Sequence, residues 1–336
     1  FHNTYISAVL GKLCLFFVWA PNVFLIMSGY LIHKSYNKRI TEDKISFKDF
    51  MLPKMRKIYP IVIVTALLTW LFQNFGKIEF GMYPLYPEGG EERNSILALV
   101  LSMLGLQSGY ISDGDSLAVN GPSWFVAVLF MNYAIYFAVT KIFKETRLQN
   151  LVYILLVVVG VVLLIDAPDL PLLFFTNGRG YYCFFVGVLM QECVKTIESA
   201  KWQEGRKTIF EWGNYIAMLM LFMVSTYICF INQREEEYEL FLMMVVFFPS
   251  LVYLLIHGYV LSWIFSRKCF VLLGKVAMPL FLCNLPTDVA IRICDLHFGW
   301  NLDYANPWIW LLHIIVSMII VVVFHFIFEV SWKKHN

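Results

Sequence analysis

Charge is what this sequence has least of. Only 15% of its 336 residues are Asp, Glu, Lys or Arg and 59% are hydrophobic, whereas a soluble domain carries about 25% charged residues. A soluble fold could not hide that much apolar surface, so soluble globular and disordered chains are both excluded. Net charge lacks a dominant sign, with 26 basic residues against 24 acidic ones. Such a balance gives no footing for nucleic acid. Cysteine is sparse and unpatterned: Cys14, Cys183, Cys193, Cys229, Cys269, Cys283 and Cys294 are odd in number and contain no Cys-x-x-Cys pair. That excludes a disulfide framework or a zinc site, and no metal is expected; these residues read as small buried hydrophobes in or beside apolar stretches. No signal peptide, low-complexity tract, tandem repeat or polar appended domain appears, so residues 1–336 read as a single membrane domain.

What the chain has in abundance is apolar length. Ten apolar segments lie near 10–33, 59–75, 95–110, 122–140, 150–165, 180–194, 212–232, 239–260, 269–290 and 307–330. A bilayer-spanning helix needs roughly 20 apolar residues. Segment 95–110 is short and is flanked by Glu88, Glu91, Glu92, Asp113 and Asp115, which suits a dip into the membrane better than a crossing. If it does not cross and loop 34–58 is cytoplasmic, 20 of the 26 Lys and Arg residues collect on the cytoplasmic side. That is the direction of the positive-inside bias; a crossing there would abolish most of it. The expected fold is therefore all-α and polytopic, with nine crossings plus a short re-entrant or interfacial segment. The chain starts at Phe1 rather than Met, and an expected helix before it would bring the total to about ten, with both termini cytoplasmic.

Four strings in order carry a family resemblance. Asn22–Ile32 (NVFLIMSGYLI) presents Ser28 and Gly29 as a Ser-Gly pair in an apolar helix, and Pro53–Pro60 (PKMRKIYP) groups Lys54, Arg56 and Lys57 before Pro60. Asn120–Tyr133 (NGPSWFVAVLFMNY) is anchored by Trp124, and Leu273–Pro286 (LGKVAMPLFLCNLP) holds Asn284. Together they resemble the acyltransferase-3 family of multi-pass membrane O-acyltransferases. The resemblance implies transfer of an acyl group, most often acetyl, from a cytoplasmic acyl-CoA co-substrate to a glycan or lipid-linked glycan hydroxyl. It also implies a bacterial plasma membrane setting and possible contact with polysaccharide synthesis machinery in the cell envelope. The family's His maps onto His2, 26 residues before Ser28, with its companion Arg expected before Phe1. Leu129 and Asn284 stand where the family carries Glu and His.

Each candidate residue also has a plainer explanation. An imidazole is suited to take a proton from a hydroxyl near neutral pH, which makes His2 the catalytic candidate; otherwise it is an interfacial residue. The phosphates of coenzyme A call for Arg and Lys donors, which assigns Lys54, Arg56 and Lys57 to donor binding, although topology alone enriches this loop in cations. Ser28 is given a donor-site or helix-packing role rather than a nucleophilic one. Trp124, Asn284 and Arg292 are the tunnel or acceptor candidates. Arg292 and Asp288 are four residues apart, so mutual pairing competes with acceptor binding. No bound cofactor is expected. The alternatives are a transporter or flippase without chemistry, and an inactive partner of a polysaccharide synthesis complex.

Overall fold

The computed structural model describes residues 20–111, 117–199, 203–228, 241–304 and 306–333. Every regular element among them is helical: α1 (Pro21–Thr41), α2 (Phe47–Phe80), α3 (Ile96–Leu104), α4 (Trp124–Ile142), α5 (Thr146–Ile165), α6 (Phe175–Ser199), α7 (Gln203–Thr226), α8 (Phe248–His257), α9 (Tyr259–Phe265), α10 (Lys268–Phe298) and α11 (Pro307–Lys333). Five of these helices are long and apolar enough to cross a membrane, six if the pair bent by 76° at Gly258 is one span. α3 is capped by Ser95, which accepts from the Ala98 amide at 3.1 Å, and stops at Gly105 with φ 70°. At 1.5 Å per residue it is about 14 Å long, half of a hydrocarbon core.

One boundary differs from the expectation. The basic group Lys54–Lys57 does not precede a helix but lies inside α2, which starts at Phe47 and contains both Pro53 and Pro60. The cause is the cap: Ser46 accepts from the Asp49 amide at 3.1 Å and donates to its carboxylate at 2.6 Å, so the helix nucleates two turns early. Each internal proline then forfeits one backbone bond without ending the helix.

The chain falls into two compact units. In the first (residues 1–50, 128–168 and 173–267), α6 is the central helix. Gly29 of α1 lies against the Phe184 carbonyl, and Gly187 of α6 against the Ile26 carbonyl, so neither position has room for a methyl group. Small residues allow this backbone approach, the usual means of joining helices where lipid removes the hydrophobic drive. Gly160 and Gly178 play the same part between α5 and α6. The contacts also fix direction. Asn22 meets Arg179, Ile26 meets Gly187 and His33 meets Glu192, so α1 and α6 run parallel. Val128 meets Gly180 and Tyr136 meets Phe184, so α4 runs the same way. Tyr153 stacks on Phe185 while Gly160 meets Tyr182, so α5 runs against them.

The second unit (residues 51–127, 169–172 and 268–336) holds most of α2, α3, the start of α4, α10 and α11. Trp70 donates to the Asn94 carbonyl at 2.8 Å and Tyr59 to the Leu104 carbonyl at 2.9 Å, fastening the segments around α3 to α2. Pro286 leaves the Leu282 carbonyl of α10 without its helical donor. Asn120 supplies one instead, at 2.9 Å, as a lipid-embedded backbone requires.

Candidate functional site

The first unit carries a column of buried polar groups along α6. At one end His33 donates from Nε2 to the Glu192 carboxylate at 2.8 Å. Its Nδ1 lies 3.3 Å from the Tyr136 hydroxyl and, in the neutral imidazole, accepts from it. Tyr136 stacks on Tyr153, whose hydroxyl shares a 2.7 Å bond with Thr140. Lys195 reaches the same carboxylate at 3.0 Å from an exposed position. Every polar group named here has a partner, so the cluster is a satisfied acid–base network joining α1, α4, α5 and α6. At the other end Arg179, also buried, donates from Nε to the Asn22 side-chain oxygen at 3.2 Å. Ionisable residues inside a membrane protein are costly and tend to be functional.

The candidates named from sequence are distributed as follows. His2 lies outside the described residues. Ser28, half-buried on α1, lies within hydrogen-bonding reach of the Tyr133 hydroxyl on α4, a contact that joins the two helices. Lys54, Arg56 and Lys57 belong to the second unit. Lys54 is half-buried while Arg56 and Lys57 are exposed, and Lys54 and Lys57 share a face of α2 at three-residue spacing. Trp124 is half-buried at the start of α4, edge-on to Phe125. Asn284 has an exposed side chain, and His313 donates to its backbone carbonyl at 3.0 Å. Arg292 bonds Asp288 at 3.0 Å and lies over the Tyr304 ring at 4.3 Å, the internal pairing that its spacing suggested. An apolar crevice of about 530 Å³ opens between α2 and α10, lined by Leu71, Phe72, Phe75, Ala290, Ile293 and Cys294. Among the described residues no group of three His, Cys, Asp or Glu side chains could hold a metal ion. Cys183 and Cys283 are buried as expected, whereas Cys193, Cys269 and Cys294 are exposed.

Sequence reasoning missed the two ends of the column. His33, Arg179 and Glu192 all lie in or beside expected spans, and an ionisable residue there is itself the signal. What the sequence could not give is the pairing, because His33 and Glu192 are 159 residues apart.

Five or six helices long and apolar enough to cross a membrane, with ionisable groups turned inward, define a polytopic integral membrane protein. The model of the acyltransferase-3 family, described as an acyltransferase domain, matches residues 1–326. The chain belongs to that family of membrane acyltransferases. No curated protein and no solved structure matches it.

Proposed function

We propose that this protein moves an acyl group, acetyl first among the candidates, from cytoplasmic acyl-CoA to a hydroxyl of a surface polysaccharide or lipid-linked glycan. The observation that carries the reading is the family match over nearly the whole chain. His2 acts as the base, Lys54, Arg56 and Lys57 receive the phosphates of the donor, and Ser28 positions α1 beside α4. Trp124, Asn284 and Arg292 border the path of acceptor or acyl group. The protein works as one membrane domain with nine crossings and a cytoplasmic C-terminus in a bacterial plasma membrane, alongside polysaccharide synthesis machinery. The parallel course of α1, α4 and α6 supports that topology: α2 returns the chain across the bilayer once, and α3 must then turn back without crossing.

The test is acyl transfer from radiolabelled acetyl-CoA by the full-length protein in proteoliposomes, with and without extracted surface glycan. Glycan-dependent transfer is expected, with His2→Ala abolishing it at normal protein level and Arg56→Ala weakening donor affinity. Transfer that survives His2→Ala removes His2 from the mechanism, and absence of any transfer by the wild type sinks the reading.

A further inference from the structure

The turn of α6 at Arg179 and Gly180 is flanked by two fully buried asparagines, Asn22 from α1 and Asn132 from α4. Their amide orientations are dictated by their partners. The guanidinium can only donate, so Asn22 must present its oxygen to Arg179, and its Nδ2 faces elsewhere. The Val128 carbonyl can only accept, so Asn132 must present Nδ2 to it at 2.8 Å, leaving Oδ1 elsewhere. Both remaining atoms, the Asn22 Nδ2 donor and the Asn132 Oδ1 acceptor, are buried without a hydrogen-bond partner. Gly180 is what admits Asn132, because a Cβ there would come within 2.6 Å of its Nδ2. This turn is level with the middle of α4, an apolar helix that is mostly buried and long enough to cross. Inside a membrane such atoms are expensive to leave unsatisfied unless something polar visits them.

We propose that this turn is where the two reactants meet: the acyl carbonyl accepts from Asn22 Nδ2, and a hydroxyl of the acceptor next to the one that reacts donates to Asn132 Oδ1, which leaves the reacting hydroxyl's proton for the base. The proposal rests on the acyl-transfer reading and deepens it. In the step, the acceptor oxygen bonds to the thioester carbonyl carbon while its proton passes to the base. The carbonyl oxygen becomes an oxyanion beside Asn22, whose amide is polarised by the Arg179 cation. The carbon–sulfur bond then breaks, the carbonyl re-forms, and the departing thiolate takes up a proton to give the free thiol. A preorganised donor of this kind acts where charge develops.

Two variants separate this role from structure. Asn22→Asp keeps the shape and gives Arg179 a stronger partner, but replaces the donor by an acceptor. Asn132→Leu replaces an amide by an apolar group of similar size, which favours insertion of a membrane helix. In proteoliposomes, Asn22→Asp is expected to slow both glycan acylation and glycan-independent thioester hydrolysis, roughly 100-fold in kcat. Asn132→Leu is expected to slow glycan acylation while sparing hydrolysis. Wild-type rates in both variants overturn the proposal. An independent readout uses acetonyl-CoA, a ketone that cannot transfer its acyl group, labelled with ¹³C at the carbonyl. Its bound infrared band is expected at lower frequency in the wild type than in Asn22→Asp. The same frequency in both overturns the Asn22 contact alone, and no bound band in either overturns the acyl-CoA reading together with this site.

Discussion

The two units of the molecule use polar side chains for opposite ends. In the first, they join helix to helix across long sequence separations, as His33 does with Glu192 and Asn22 with Arg179. In the second, they mostly secure segments between helices or repair helices from within. Trp70 and Tyr59 hold the carbonyls of Asn94 and Leu104, and Asn120 supplies the donor that Pro286 removes. Packing separates single helices rather than whole units, since the apolar parts of α5 and α7 in the first unit are only 22% and 17% buried. The apolar part of α4, with most of its length in the first unit, is 72% buried, whereas that of α10 in the second is 17% buried. A helix exposed to that extent packs against lipid, so α10 depends little on close backbone contact. α6 depends on it throughout.

Glycine substitution is the strongest way to break this contrast. At Gly187 any side chain overlaps the Ile26 carbonyl, and backbone cannot move aside as a side-chain tip can. Gly187→Leu is expected to cost about 3 kcal/mol or to prevent folding, read as a lower midpoint in thermal unfolding in detergent or as lost monodisperse protein. Gly274→Leu, at a helical position on α10 with nothing within 4 Å, is expected to leave the midpoint unchanged. Equal effects at the two sites would mean that the glycine contacts do not distinguish the units.

The His33–Glu192 pair sharpens the comparison at a smaller scale. Glu192→Ala leaves the His33 donor buried without its acceptor, an expected cost of about 2 kcal/mol. Replacing both residues by Leu removes donor and acceptor together and is expected to recover most of that loss, because paired removal leaves nothing unsatisfied. A double-mutant cycle in thermal unfolding reads the coupling, and purely additive effects would show that the 2.8 Å bond joins the helices only in appearance. The corresponding change in the second unit is Trp70→Phe, which removes one donor to the Asn94 carbonyl while keeping an aromatic ring. Its expected cost is about 1 kcal/mol. A cost as large as that of Glu192→Ala would erase the distinction between fastening a loop and joining helices.

What the sequence made legible was whatever depends on the average character of a segment. Apolar length marked α2, α4, α5, α7 and α10, and the short, acid-flanked run at 95–110 gave α3, which is too short to cross alone. α2 starts well before the apolar run at 59–75 because a two-residue device, Ser46 with Asp49, starts the helix in a polar stretch that apolar length does not mark. Site residues were less legible for a different reason. Arg292 and Asp288 are neighbours on one helix, so their pairing follows from spacing. Asn22 and Arg179 are 157 residues apart, and only the parallel packing of α1 and α6 brings them together. Gly180 could be read as any helix-packing glycine until Asn132 was seen against it.

The smallest effect belongs to the ends of the first unit's helices, where charge rather than packing makes the connection. Asp43 follows α1 in a left-handed conformation with φ 59° and pairs with Lys141 from the last turn of α4 and with Lys144 at 2.8 Å from the α4–α5 connection. Lys144 also donates to the Thr41 carbonyl at 3.0 Å, so one ammonium caps α1 and holds the turn beyond it. Lys141 first, and Lys144 second, lower the Asp43 carboxyl from 3.8 to about 2. A depressed carboxylate stabilises the fold above its unfolded value and loses that contribution as pH falls through the folded one. The connection is therefore intact at neutral pH and is released between about pH 4 and pH 2. The groups are exposed, so added salt weakens the effect and unfolding at neutral pH barely registers it. Protease cutting within 42–46 is the sensitive measure: it is expected to rise across that acidic window in the wild type, whereas Asp43→Asn is already cut readily at neutral pH and changes little on acidification. Superimposable pH profiles for the two proteins would show that these helix ends are held by Thr41, Asn37 and Gln149, whose neutral side-chain bonds do not titrate.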